Sequence, residues 1–263
     1  MTDRKIAALP GTRPEGARDE REAAAQVRDM FGQIAPRYDF LNHLLSLSLD
    51  RVWRRRTAKR FAHILGRPEA RAIDICCGTG DLAFALARER KRALRASVSS
   101  NSAPVIGSDF VEAMLERARD KARAAGHRAE FAAADALRLP FADASADLLT
   151  SAFGFRNLAN YEQGLREFAR VLRRGGELGI LEFTESGSGP LAGVFRFYFR
   201  RILPLVGGAI SGNSQAYRYL PGSVAKFPSA GELAALMERC GFRDVRVSSW
   251  NFGSVALHTA KRV

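Results

Sequence analysis

The sequence predicts a doubly wound α/β domain, and three observations carry that prediction. The stretch Ala72-Ile-Asp-Ile-Cys-Cys-Gly-Thr-Gly-Asp-Leu-Ala-Phe-Ala-Leu86 reads as a buried strand, a tight glycine turn and a helix, the first unit of such a sheet. Further apolar runs follow at 105–109, 129–135, 148–153 and 178–183, with helix-period segments between them. The chain has 263 residues and is 46% hydrophobic, enough for one α/β domain with extensions and a sizeable core.

The elements follow in order. Residues 1–22 combine small, Pro/Gly and balanced charged residues and are expected to be a disordered tail; residues 23–263 form a single domain. Within it, 23–66 is a helical cover: a helix over 24–34 ended by Pro36, a mixed aromatic and apolar stretch, then a basic amphipathic helix over 51–65. After the glycine turn, Asp81 is placed to cap a helix that runs to about residue 90. A polar loop over 96–104 separates it from the second strand. A helix over 111–125 and the third strand follow, then the nearly all-apolar strand 148–153, whose character puts it at the sheet centre. It exits through Gly154-Phe-Arg-Asn157 into a helix over 164–172 and the fifth strand. Residues 187–231 are an insert without a single acid; a last helix over 229–240 and a hairpin (245–250 and 254–260) close the sheet.

Glycines bring a backbone close to a ligand, and a helix start presents unpaired N–H groups. A phosphate loop would need a Lys after its last glycine, and a dinucleotide fingerprint would need a third glycine; Gly78-Thr79-Gly80 has neither. Ligands bind at the carboxyl ends of strands in such sheets, and an acid closing the second strand, here Asp109, accepts hydrogen bonds from ribose hydroxyls. Asp109 suits the N-cap of the following helix as well. Asp74, Asp109, Asp135, Gly154 to Asn157 and Glu182 all fall at or near strand ends, a convergence stronger than any one motif.

Composition excludes several classes. Cys76 and Cys77 are adjacent and Cys240 is remote, which suits neither a disulfide framework nor a metal site. No secretory signal and no apolar run of membrane-spanning length is expected. The net charge of +13 is concentrated: residues 51–71 hold eight Arg/Lys against one acid, and 88–95 hold five against one. An anionic membrane surface or a nucleic acid would match that charge, as would a plain solvated basic face.

Several blocks together identify a family. Met30-Phe-x-x-Ile-Ala-Pro-Arg-Tyr-Asp-Phe-Leu-Asn42, Asp74-Ile-Cys-Cys-Gly-Thr-Gly-Asp81, Phe153-Gly-Phe-Arg-Asn157, Leu181-Glu-Phe183, Tyr217-x-Tyr-Leu-Pro221 and Gly253-x-Val-Ala-Leu-His258 resemble the quinone C-methyltransferases of the MenG/UbiE type over residues 27–262. The resemblance implies a class I S-adenosylmethionine-dependent methyltransferase fold, Rossmann-like, with a seven-stranded mostly parallel sheet and an insert after strand five. It implies S-adenosylmethionine as cofactor, without metal, and methylation of a ring carbon of a prenylated quinol: demethylmenaquinol to menaquinol, or a methoxybenzoquinol in the ubiquinone pathway. The family's cofactor-contacting positions fall on Thr79, Asp109, Asp135 and Ala136, within a site that also takes Asp74, Gly78 and Gly80. Three departures are visible: Cys76 stands where the first glycine of the motif usually sits, Ala152 where some members have Ser, and the loop before Asp109 is longer than the family's usual spacing.

A quinol carbon becomes nucleophilic when a ring hydroxyl is hydrogen-bonded or deprotonated. Arg156 and Asn157, at the mouth of strand four, are candidates to hold the quinol oxygens and stabilise developing charge, and Tyr38 with Asp39 to close over the ring. A structural ion pair for Arg156 and simple packing for Tyr38 are the alternatives. His43 and His258 read as structural. The isoprenoid tail suits the insert, where Phe195, Phe197, Phe199, Ile202 and Leu203 offer an apolar lining; a dimer or cover surface is the plainer reading, so a homodimer stays open. These readings place the protein in the cytoplasm, peripherally on the inner face of the membrane. An RNA-modifying or RNA-binding protein of the same fold is the distant alternative. No Asn/Asp-Pro-Pro-aromatic motif follows strand four and no cysteine is near its exit in the sequence, so no nucleic-acid partner is expected.

Overall fold

The computed structural model describes residues 11–14, 16–39, 46, 48–94, 102–184 and 222–263. Among these, seven strands, β1 (Ala72–Ile75), β2 (Val105–Asp109), β3 (Ala129–Ala133), β4 (Ala146–Ala152), β5 (Leu172–Phe183), β6 (Phe242–Trp250) and β7 (Val255–Arg262), form one sheet in the order β3-β2-β1-β4-β5-β7-β6. The pairs β3/β2, β2/β1, β1/β4 and β4/β5 are parallel. β7 runs antiparallel to both β5 and β6. The strand order reverses direction at β1 and β4, which opens a crevice beyond their carboxyl ends.

Helices α1 (Glu20–Ile34), α2 (Leu49–Arg60), α3 (Ala62–Leu65), α4 (Asp81–Ala93), α5 (Glu112–Ala125), α6 (Tyr161–Val171) and α7 (Ala230–Arg239) cover the sheet. The central strands are apolar on both faces and build two cores. On one face Ile73, Ile75, Leu149 and Ile180 meet Leu165 and Phe168 of α6 and Leu233, Leu236 and Met237 of α7. On the other, Ala72, Val105 and Leu148 meet Leu82 and Leu86 of α4 with Phe61 and Leu65 beside α2 and α3. Phe61, fully buried, is seated by a glycine: a Cβ on Gly179 would lie 2.6 Å from its ring. Losing such a ring costs about 3–5 kcal/mol, and filling the space over Gly179 evicts it.

Local boundaries differ from the sequence reading in instructive ways. α1 begins at Glu20, because the Asp19 carboxylate accepts from the Glu22 N–H and caps it. The expected tail is docked from Gly11 on: Thr12 N–H donates to Leu158 O at 2.7 Å and Arg13 Nη1 to Ala159 O at 2.7 Å. The basic helix 51–65 is two helices, broken where Phe61 turns into the core. Asp81 is the first residue of α4 and not its cap; the cap is Gly80, at φ +89°. Likewise α5 starts after Val111, whose N–H is the group Asp109 binds. α7 opens with a capping box between Ser229 and Glu232. Of the insert 187–231 only 222–231 lie within the described residues; Phe195, Phe197, Phe199, Ile202, Leu203 and His43 lie outside them. His258 is fully buried in β7 with Nε2 3.0 Å from Ala230 O.

Candidate active site

A cavity that opens to solvent lies at the carboxyl ends of β1, β2 and β4, the place where sheets of this kind bind ligands. Gly78, Asp109, Asp135 and Ala136 line it on the sheet side, with Phe110, Val111, Met114 and Leu137 as an apolar wall. Tyr38 and Phe31 of the cover, packed edge to face, and Phe153, Gly154 and Asn157 of the loop after β4 close the other side. Of the expected residues, Asp74, Thr79, Gly80 and Arg156 do not line it; they stand behind its wall.

The glycine turn owes its shape to left-handed backbone. Cys76 takes φ +53° and Gly78 φ +54°, and Gly80 hands the chain to α4. A cysteine at φ +53° is strained where a glycine would not be, which explains the glycine usually found there. Gly154 has a different reason: a Cβ there would lie 2.4 Å from the Cys76 Cβ, so this glycine lets the loop after β4 pass over the turn after β1. Phe153, just before it, is also left-handed at φ +61°.

Asp109 is held rigidly. Its Oδ2 accepts from Gly78 N–H at 2.8 Å and its Oδ1 from Val111 N–H at 3.0 Å. Each oxygen keeps a second acceptor position, which a vicinal diol can use. Burial pushes its pKa up, and the N–H groups of Val111, Gly78 and Phe110 pull it back. Asp135 is exposed at the rim, its Oδ1 accepting from Leu137 N–H at 2.9 Å. A fixed carboxylate beside a glycine turn, facing a cavity with an apolar slot, fits the ribose and adenine of S-adenosylmethionine. Asp74 lies deeper: its Oδ1 accepts from the Thr150 hydroxyl at 2.8 Å, and burial raises its pKa to about 7 against the pull of Thr150 and Arg54.

The cover is tied down by charge. Asp39, next to Tyr38, accepts from the Thr79 hydroxyl through Oδ1 and from Lys121 Nζ at 2.9 Å through Oδ2. Lys121 also donates to Asp81 Oδ1 at 2.6 Å and to Thr79 Oγ1 at 3.1 Å. Arg54 extends the cluster, bonded to Asp50 and 3.8 Å from Asp81, with its guanidinium 5.4 Å from the Phe153 ring centroid. Sequence reasoning missed Lys121, which sits in the charged run Arg117-Ala-Arg-Asp-Lys-Ala-Arg123 and reads there as a solvated helix face.

Arg156, expected to touch substrate, is 4% exposed and forms a buried pair with Glu182, Nη1 to Oε2 2.9 Å. The same Nη1 donates to the Phe153 carbonyl, and Arg156 N–H reaches Glu182 Oε1 at 3.2 Å. The pair braces the loop that presents Asn157 to the cavity. Burial raises the Glu182 pKa, and the guanidinium and N–H of Arg156 oppose that rise.

A parallel sheet with one antiparallel strand inserted before its edge, and an acid closing β2 beside a glycine turn, is the arrangement of the class I S-adenosylmethionine-dependent methyltransferases. Among solved structures, a possible histamine N-methyltransferase from Thermotoga maritima matches 89% of this chain and 99% of its own length with a TM-score of 0.62 at 18% identity. The [4+2]-cyclase SpnF matches 97% and 98% with a TM-score of 0.63 at 17% identity. At that identity the likeness concerns the fold. The chain belongs to the ubiE/COQ5 methyltransferase family, whose model matches residues 17–262. A demethylmenaquinone methyltransferase of Deinococcus radiodurans is 46% identical over 89% of this chain and 92% of its own. One of Thermus thermophilus is 47% identical over 89% and 100%. The ubiquinone/menaquinone biosynthesis C-methyltransferase UbiE of Geobacter sulfurreducens is 40% identical over 92% and 90%. The protein is an S-adenosylmethionine-dependent methyltransferase.

Proposed function

We propose that the protein methylates a ring carbon of a demethylmenaquinol to give menaquinol. The observation that carries this reading is the near full-length agreement with two relatives named for that activity. Methylation of a prenylated methoxybenzoquinol is the second reading, favoured by relatives named for both pathways.

S-Adenosylmethionine supplies an electrophilic methyl group when bound. Asp109 would hold its ribose hydroxyls, with Gly78, Asp135 and Ala136 along its length, while Asp74, Thr79 and Gly80 keep the turn in shape. Asn157, across the cavity, would donate from its amide to a quinol oxygen and stabilise the charge that grows there as the ring carbon attacks. Tyr38 would hold the ring from the cover side, and Phe31, Phe153 and Leu158 would exclude water and align the ring with the methyl. Arg156 acts through Glu182 and the Phe153 carbonyl by fixing the loop that carries Asn157.

The substrate's isoprenoid tail calls for a protein working at a membrane surface. Among the described residues no helix is long and apolar enough to cross a membrane, and none forms a metal-binding cluster. Purified protein incubated with methyl-labelled S-adenosylmethionine and each demethylated quinol is expected to label the naphthoquinol. Cofactor binding without labelling of either quinol would overturn the reading.

A further inference from the structure

The outward face of α2 carries Leu49, Arg51, Val52, Arg55, Arg56, Lys59 and Arg60, and no acid. The one acid of the helix, Asp50, is turned inward against Arg54. The second basic stretch lies alongside: α4 packs on α2, and Arg88 is close enough to Arg55 for each to feel the other's charge. The exposed basic side chains of α2 and α4 thus stand together on one side of the domain. Not every arginine of these stretches belongs to the face, since Arg54 is buried and Arg90 donates to the carbonyls of Ala70 and Ala103.

Beside that helix stands an apolar knuckle, the turn Asn251–Gly253 between β6 and β7. Trp53 Nε1 of α2 donates to Asn251 Oδ1 at 3.2 Å, and Arg56 lies 5.9 Å from the Trp250 ring centroid. At its tip Phe252 is 64% exposed with left-handed backbone, φ +57°. A large ring held out to water in a costly conformation needs a reason. Leu49 and Val52, 37% and 41% exposed, stand one turn and one residue from Trp53 on the same helix. Thr184, the last described residue before the acid-free insert, is bonded to the same knuckle, N–H to Ser254 O at 2.9 Å and Oγ1 to Gly253 O at 2.5 Å.

We infer that this face is a lipid-docking surface: Phe252, Leu49 and Val52 enter an anionic bilayer while Arg51, Arg55, Arg56, Lys59 and Arg60 meet its headgroups. The inference rests on the quinol reading and gives it a geometry. The surface is one side-chain layer from the cavity, because Trp53 packs on the cavity-lining Phe153 with ring centroids 6.0 Å apart. A tailed substrate therefore reaches the site with its tail still in the membrane. Charge selects the bilayer's sign, since each basic residue near an anionic surface contributes about fivefold in binding and salt screens it. The apolar tip sets the depth.

The test uses the full chain and vesicles of phosphatidylglycerol and phosphatidylcholine, against vesicles of phosphatidylcholine alone. Trp250, half-buried at the knuckle, is the reporter, and buried Trp53 is the internal control. Bromine-labelled lipid is expected to quench Trp250 in anionic vesicles, with little quenching in neutral ones or in high salt. Arg51→Gln with Arg55→Gln is expected to weaken binding about 30-fold. Phe252→Asn, which tolerates the same backbone, is expected to weaken it about tenfold. Both variants should methylate a short-chain, water-soluble demethylnaphthoquinol as the unaltered protein does, and lose activity only on quinol embedded in vesicles. That soluble assay separates the two readings: if unaltered protein binds vesicles as described but methylates no quinol, the functional reading fails and the surface stands. Unquenched Trp250, equal binding to neutral vesicles, binding unchanged in both variants, or tight RNA binding through the same arginines without vesicle binding would each overturn the inference.

Discussion

Replacing Lys121 with methionine should loosen the cover over the cofactor cavity without unfolding the domain. Lys121 Nζ holds Asp39 at 2.9 Å on the cover and Asp81 at 2.6 Å at the start of α4, so among the described residues it is the one cation joining them directly. Its side chain is 33% exposed and each carboxylate 22%, so solvent screens both pairs and each is worth only about 1 kcal/mol. Methionine keeps most of the stem packing. The Asp39 link to Thr79 survives and Asp81 keeps Arg54 at 3.8 Å, so only the two Lys121 pairs are lost and the closed cover loses about 1–2 kcal/mol. A ligand that requires the closed cover then binds about 5- to 30-fold more weakly, with most of the change in its dissociation rate. Calorimetry and stopped-flow release of S-adenosylmethionine measure both quantities, and 0.5 M salt should narrow the gap between variant and parent. A double-mutant cycle with Asp39→Asn isolates the coupling, which should be about 1 kcal/mol. An affinity unchanged in Lys121→Met, or a cycle that closes at zero, refutes the reasoning, because the cover would then be held by packing of Phe31 and Tyr38 alone.

Three other outcomes are expected. Asp109→Ala should weaken S-adenosylmethionine binding at least about tenfold, since two charge-assisted hydrogen bonds at roughly 1.5–3 kcal/mol each are lost; calorimetry on the folded variant decides it. Arg156→Leu should destabilise the fold by about 3–5 kcal/mol in urea titration, because Glu182 is left buried without its cation; loss of turnover at unchanged stability would return Arg156 to direct contact with substrate. Asp74 should make stability fall as pH rises. Its pKa is raised from 3.8 to about 7, so the native state keeps a proton that the unfolded chain has released, and up to about 4 kcal/mol is lost between those values. Denaturation at pH 5 and pH 8 should show about 2–3 kcal/mol of that loss in the parent and much less of it in Asp74→Asn; parallel behaviour of the two proteins would rule it out.

Local chemistry made much of this molecule legible. The glycine turn, the five parallel strands and the acids at their ends are written in runs of neighbouring residues, and β2 falls on 105–109 as expected. The position of Asp109 was readable because it follows from ending a strand beside that turn. The remainder needed distances between residues far apart in sequence. Nothing near Arg156 announces Glu182, 26 positions on, as its partner. Nothing in α5 sets Lys121 apart from the arginines around it; only the approach of the cover to that helix gives it a function. The two basic stretches read alike along the chain, yet folding buries Arg54 and Arg90 and leaves Arg51 and Arg55 outside. The contacts of Thr12 and Arg13 with Leu158 and Ala159 were not legible, because both go to backbone carbonyls far off in sequence, which composition does not encode.

The place of β7 in the sheet has a consequence for synthesis. It lies between β5 and β6, although it is the last of the seven strands to be made. Until residues 255–262 leave the ribosome, β6 has no strand to pair with, and β5 presents an open edge carrying Leu178, Ile180 and Leu181. A nascent chain in that state carries a long apolar template for pairing with its neighbours. Translation that stalls or is cut short before residue 255 is therefore expected to release aggregating material rather than a smaller soluble domain. A fragment ending at residue 254, expressed beside the full chain, should partition into the insoluble fraction while the full chain does not.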